Sequence, residues 1–147
     1  MASFKLGFIG EVNLESVRAD AEFARQHGFD GLEDNFHPKA FNPTHPGFPD
    51  VDESLAKDMR KVLDDHGVRC AMMGLWGYNH ISPDAQEKAE ALECLGRAID
   101  LAQILGAEVF TTGGGDIPEA PMERKAEAFC ETMPPYVERV EAAGMVP

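Results

Sequence analysis

The chain has 147 residues, enough for one domain with a real core, and its 44% hydrophobic and 27% charged content is ordinary for a globular protein. A net charge of −13, from 13 basic against 26 acidic residues, opposes nucleic-acid and anionic-membrane surfaces, which need clustered Lys or Arg. Met1-Ala2-Ser3-Phe4-Lys5 lacks a secretory pattern, no apolar run nears the ~18 residues of a membrane span, and three widely spaced cysteines fit neither a disulfide framework nor a metal knuckle, so a cytoplasmic protein with reduced thiols is expected.

The first strand is expected between Phe4 and Glu11, where Phe4, Leu6 and Phe8 alternate with Lys5, Gly7 and Ile9 as in a buried strand. Asn13 is a plausible N-cap for a helix through about His27, with Leu14, Val17, Ala21 and Ala24 as its buried stripe. A second strand follows near Phe29 to Asn35. Pro38, Pro43, Pro46 and Pro49 then exclude a regular element before Asp52. The second helix begins there and carries Leu55, Met59, Val62 and Leu63 on one face.

Val68 to Trp76 is nearly continuous in apolar residues, as parallel strands covered on both faces tend to be. Ser82-Pro83-Asp84 predicts the start of a third helix, with serine as cap, proline in the first turn and an acid on the dipole. Leu92, Leu95, Ile99 and Ala102 form its stripe. Glu108 to Thr112 reads as a fourth strand, followed by Gly113-Gly114-Gly115. A helical region from about Met122 to Ala143 must kink or divide at Pro134-Pro135.

One rhythm runs through these elements. Gly28, Gly67, Gly106 and Gly144 each close a helical pattern, at intervals of 39, 39 and 38 residues. The residue past a helix end often needs positive φ, which glycine adopts without a Cβ clash. The repeat is a strand followed by a helix, four times over, with a fifth strand beginning at Met145-Val146-Pro147. That predicts an α/β fold of parallel (β/α) units, with residues 1–147 as a single incomplete domain. A rival is a complete open sheet of flavodoxin type, which would put the first strand inside the sheet and use a phosphate-binding first loop. Gly10-Glu11-Val12-Asn13 supplies no glycine-rich loop of that kind.

In parallel β/α folds, ligands collect at the carboxyl ends of the strands. The candidates there are Glu11; Glu33, Asn35 and His37; Trp76, Asn79 and His80; and Thr111, Thr112 and Gly113 to Gly115. Glu33 could bind a sugar hydroxyl or a cation, or serve as a structural carboxylate with a neighbouring partner. His80 could touch substrate, act as acid or base, or bond to backbone as a loop histidine. Trp76 could stack on a sugar or pack at the rim.

His37 and His45 could bind a metal together, or belong to a partial lid with Phe36, Phe41 and Phe48 as its apolar cluster. His27 and His66 precede helix-ending glycines and complement the dipole there. Gly113-Gly114-Gly115-Asp116 could expose backbone N–H groups to a phosphate. It lacks a Gly-Lys-Ser/Thr or GxGxxG pattern, so a close backbone approach or a plain turn is its other reading.

The order of these pieces resembles the xylose-isomerase-like barrel superfamily, the sugar phosphate isomerases and epimerases. Phe4-Lys5-Leu6-Gly7-Phe8 looks like its first strand. Ala21-Glu22-Phe23-Ala24-Arg25-Gln26-His27-Gly28-Phe29-Asp30-Gly31-Leu32-Glu33 looks like its most recognisable segment, and Leu101-Ala102-Gln103-Ile104-Leu105-Gly106-Ala107 like the approach to its fourth strand. The resemblance covers the first half of the family's TIM (β/α)8 barrel, units one to four, and implies a truncated chain. Family members move a proton between adjacent carbons of a sugar or keto-sugar, using two glutamates and a divalent metal: manganese or magnesium, with zinc a third candidate.

Those ligands and glutamates come chiefly from strands five to eight, so none is carried over and the metal's ligands are expected outside this chain. By position, Glu33, Trp76, Asn79 and His80 match the substrate-facing half. The fourth strand ends Thr111-Thr112-Gly113-Gly114 where many members place a histidine. The resemblance thus implies a parent isomerase or epimerase acting on a small sugar, and a fragment inactive alone. The alternatives are a polyol or inosose dehydratase of the same superfamily, and a non-catalytic half-barrel that binds carbohydrate and forms a homo-oligomer through unpaired sheet edges.

Overall fold

A computed structural model describes residues 5–10, 12–38, 48 and 50–147. The elements alternate as expected: β1 (Gly7–Ile9), α1 (Leu14–His27), β2 (Gly31–Phe36), α2 (Glu53–His66), β3 (Arg69–Leu75), α3 (Ala85–Leu105), β4 (Val109–Thr112), α4 (Met122–Thr132) and α5 (Pro134–Ala142). The four strands form one sheet in the order β1-β2-β3-β4, and every neighbouring pair is parallel. Sequential parallel order is that of a barrel's first half and excludes the flavodoxin arrangement, which would place β1 between later strands.

The helices begin and end for local reasons. Asn13 Oδ1 accepts from Ser16 N at 2.8 Å and Asp52 Oδ1 from Leu55 N at 2.8 Å. Each satisfies a donor that has no partner within its helix. At the other ends Gly28, Gly67 and Gly106 take the left-handed conformation, with φ of 74°, 67° and 72°. Gly144 does the same after α5, at 81°. The double proline divides the last helical region: Pro134 opens α5 directly after Met133.

The cap of α3 departs from expectation. Asp84, not Ser82, caps it, accepting from Gln86 N and Glu87 N at 2.9 Å each. Two good capping residues stand two positions apart, and the carboxylate reaches both free amides. The Ser82 hydroxyl instead accepts from Asp84 N and donates to Glu87.

One face of the sheet is covered by helices. Leu32 and Phe36 of β2, Met73 and Leu75 of β3 and Phe110 of β4 join Val17, Ala21, Met59, Leu63, Leu95, Ile99 and Leu105 of the helices in one buried cluster. The opposite face carries the alternate residues, among them Glu33, Asn35, Met72, Gly74, Val109 and Thr111.

The first strand lies at the sheet edge, as sequential order requires, and pairs only with β2 among the described residues. Its burial departs from expectation: Leu6 and Ile9 are 59% and 66% exposed despite the apolar alternation. At the other edge, Val146 pairs in parallel with Val109. Phe110 N donates to Val146 O and Val146 N to Glu108 O, both at 2.9 Å. Val146 thus adds an isolated parallel bridge alongside β4.

Phe4, Glu11, Phe41, Pro43, His45, Pro46 and Pro49 lie outside the described residues. Of the apolar cluster expected in the β2–α2 connection, Phe36 and Phe48 do meet, with ring centroids 5.6 Å apart. Arg97 of α3 covers Phe48 at 5.0 Å and donates to Val51 O at 2.8 Å, so this connection is tied to α3.

Candidate functional site at the carboxyl ends of the strands

On the open face, parallel pairing sets Asn35 opposite Gly74, and Gly74 opposite Thr111. Trp76 follows β3 directly, and its side chain folds back over this row. The indole Nε1–H donates to Asn35 Oδ1 at 2.6 Å. Glycine at 74 makes this possible: a Cβ there would meet Asn35 Oδ1 and lie 2.6 Å from Trp76 Nε1. The benzo edge of the ring reaches Gly113, where a Cβ would sit 3.5 Å from Cε3. The indole thus lies across the ends of three strands and remains 43% exposed.

Glu33 is on the same face, two residues before Asn35. The sequence placed it at the end of its strand. The structure puts it third of six, because β2 runs on to Phe36, and it is half-buried beside Ile9 and Met72. Sequence patterning did not show the irregularity between Leu32 and Glu33, where the pairing with β3 skips Ala71.

Asn79 and His80 bind protein. The Asn79 amide is clamped to the backbone of Asp116: Nδ2 donates to Asp116 O, and Oδ1 accepts from Asp116 N, at 2.8 Å each. His80 is fully buried, with Nδ1 3.0 Å from Gly113 O. A carbonyl only accepts, so Nδ1 carries the proton, and burial favours the neutral form of the ring. The contact the fold gives His80 is thus one to backbone. Together the two side chains fasten the β3–α3 loop to the β4–α4 loop.

The same bonds describe Gly113 to Asp116. The Asp116 amide is engaged by Asn79 and the Asp116 carboxylate pairs with Lys125, which holds its pKa below the usual range. The turn is thus fastened at both of its ends, through the Gly113 amide to Leu75 O and through Asp116 to Asn79. Thr111 faces the open side, whereas the Thr112 hydroxyl donates to Leu75 O at 3.0 Å. His37 follows β2, and its carbonyl accepts from Phe48 N at 3.0 Å.

Burial pushes the His80 pKa below its ordinary value, against the opposing effect of the Gly113 bond. A depressed native pKa gives stability that is complete above the unfolded value of about 6.5. That stability is lost as pH falls from there through the native value. Melting of the wild-type chain between pH 7 and 5 should therefore show a downward slope of up to about 1.4 kcal/mol per pH unit from this group. His80→Phe should flatten that part of the profile, and an unchanged slope in the variant would count against the buried neutral ring.

Two features of this end were missed from sequence. Asp34 is almost fully buried on the helix-covered face. A Cβ at Gly10 would sit 2.7 Å from its Oδ1 and 2.8 Å from Asp20 Oδ2, so both carboxylates crowd the glycine after β1. A charged residue alternating with Leu32 and Phe36 was the available signal. The other is Gly74, whose role appears only once its neighbours across the sheet are known.

Among the described residues, no three His, Cys, Asp or Glu side chains come together as a metal site. The described residues therefore do not fit the divalent cation that the resemblance implies. The cysteines are free, and burial raises the Cys70 thiol to about 12, where it is inert. No described helix is long and apolar enough to cross a membrane.

A family model described as xylose isomerase-like TIM barrel matches residues 21–146. Solved structures share the fold at low identity. The xylose isomerase domain protein from Planctomyces limnophilus aligns with a TM-score of 0.69 and 11% identity over 97% of this chain and 52% of its own. D-psicose 3-epimerase from Clostridium cellulolyticum H10, solved with D-tagatose, gives 0.71 and 15% over 97% and 50%. An L-ribulose 3-epimerase gives 0.72 and 19% over 97% and 48%. The chain spans about half the length of these structures. The sequence matches no curated protein.

Proposed function

The chain belongs to the xylose isomerase-like TIM barrel family, and from that premise we propose that it forms the substrate-facing wall of a barrel that interconverts keto-sugars. The reaction class is proton transfer between adjacent carbons. The observation that carries this reading is the exposed Trp76 indole, tethered to Asn35 across Gly74 at the carboxyl ends of the strands. In parallel barrels that end holds the active site.

The chemistry of the surface fits a sugar. The indole N–H is already bonded, so the ring offers a ligand its apolar surface. A sugar presents an apolar C–H face and a rim of hydroxyls. The ring takes the first, and the Glu33 carboxylate, an acceptor on the same side of the sheet, takes the second. Glu33 and Trp76 are assigned to direct contact, and Asn79 and His80 to holding the surrounding loops. Two of the structures sharing this fold are named as sugar 3-epimerases, which supports the substrate class.

No step is assigned to a metal on these residues, and the proton-transferring groups are placed outside this chain. The chain spans about half the length of the solved structures that share its fold, and these 147 residues by themselves are expected to bind sugar without turning it over. Trp76 is the only tryptophan, so its fluorescence reports on the site alone. D-Fructose should change the emission saturably, and no epimer should form on incubation with manganese. No saturable change up to about 100 mM would refute the binding. Chelator-sensitive turnover would refute the assignment of the reacting groups elsewhere.

A further inference from the structure

We propose that Asn35 is a positioning residue for the sugar-stacking surface: it holds the Trp76 indole flat across the strand ends, in a slot that exists because residue 74 is glycine. The sugar part of this rests on the function proposed above; the positioning part does not.

Three observations meet here. The 2.6 Å bond from Trp76 Nε1 to Asn35 Oδ1 joins side chains 41 residues apart in sequence, one on β2 and the other just past the end of β3. It lies where a Gly74 side chain would stand, since a Cβ there would meet both bonded atoms. At the other end of the ring, Gly113 leaves ordinary contact distance, 3.5 and 3.7 Å from Cε3 and Cζ3 to an added Cβ. One end of the indole is pinned and the other rests on backbone.

The pin fixes orientation as well as position. A tryptophan following a strand has two side-chain torsions to settle, and an exposed ring without its N–H partner would sample several rotamers. Ordering it on binding would then cost affinity. With the N–H engaged by Asn35, the ring is organised before a ligand arrives. The engaged N–H also sets what is recognised: the indole gives a ligand no hydrogen bond, so selection falls on the shape of an apolar face. The polar contacts come from neighbours such as Glu33.

The test uses the intact 147-residue chain and its single tryptophan. Asn35→Leu removes the acceptor at similar volume. Asn35→Asp keeps an acceptor at the same place and is the rescuing variant. Gly74→Ala obstructs the slot, and Gly113→Ala is the control, because its added Cβ stays in ordinary contact.

Acrylamide quenching reads the freedom and exposure of the ring without any ligand. It should rise clearly in Asn35→Leu and Gly74→Ala, and stay near the wild-type value in Asn35→Asp and Gly113→Ala. D-Fructose affinity, read from the same fluorescence, should fall about tenfold in Asn35→Leu, the scale of one hydrogen bond, and recover in Asn35→Asp. Circular dichroism confirms that each variant is folded.

Quenching and affinity both unchanged in folded Asn35→Leu would overturn the proposal. So would equal loss in the leucine and aspartate variants, which would point to general damage. If quenching follows this pattern but no form binds D-fructose, the positioning role stands and the sugar reading falls.

Discussion

Trp76→Ala will weaken D-fructose binding about thirtyfold, roughly 2 kcal/mol, while leaving the fold in place. The estimate combines the apolar area that a stacked sugar hides with the added preference of an aromatic face for C–H groups. Stability should change little, because the ring is 43% exposed and packs over glycines, not into the core. Calorimetry is the suitable measurement, since the variant has no tryptophan left to report by fluorescence. Trp76→Phe should fall between wild type and alanine: it keeps a ring but loses the N–H that anchors it to Asn35. Equal affinity in wild type and alanine variant would remove the indole from the site.

The largest loss of stability should come from Phe36→Ala, about 3–5 kcal/mol, or roughly a 10–15 °C lower melting temperature. Phe36 is 1% exposed and ends β2 on the helix-covered face. Its ring meets Phe48, which in turn meets Tyr78 edge-on with centroids 6.5 Å apart. Truncation would leave a cavity among three elements that cannot collapse without moving the sheet. It would also remove the ring contact by which Phe48 of the β2–α2 connection packs on the end of β2. Denaturant unfolding reads the effect directly, and a loss under about 1 kcal/mol would show that this corner repacks.

What the sequence disclosed was the scaffold. Helix-closing glycines mark places where backbone sterics leave few other choices, so Gly28, Gly67, Gly106 and Gly144 could be read without knowing the fold. The helix stripes and the break at Pro134 were legible for the same reason: each is set within a few residues of itself. Parallel order followed from the strand-helix alternation, because parallel strands need a crossover between them.

The less legible features depend on neighbours far along the chain. Leu6 and Ile9 alternate like a buried strand, yet both are exposed and no local pattern says so. Ser82 and Asp84 compete for one helix end, and the choice turns on which oxygen reaches the free amides. The site shows this most clearly. Glu33, Trp76, Asn79 and His80 were all identified by position, but only the structure separates the exposed ring from the buried imidazole and the clamped amide. The partnership of Asn35 with Trp76, and its need for glycine at 74, arises from strand register, which single-sequence patterning does not fix.

The account rests on a sugar lying against one indole at the carboxyl ends of the strands. A two-dimensional proton–nitrogen NMR titration of the chain with D-fructose tests that most directly, because the chain has a single tryptophan side-chain signal to follow. The expected result is a saturable shift of the Trp76 Nε1–H signal, accompanied by the amides of Glu33, Asn35, Thr111 and Gly113, with residues at the opposite end such as Arg69 and Glu108 unmoved. Shifts confined to that opposite end, or none at sugar concentrations up to about 100 mM, would contradict it.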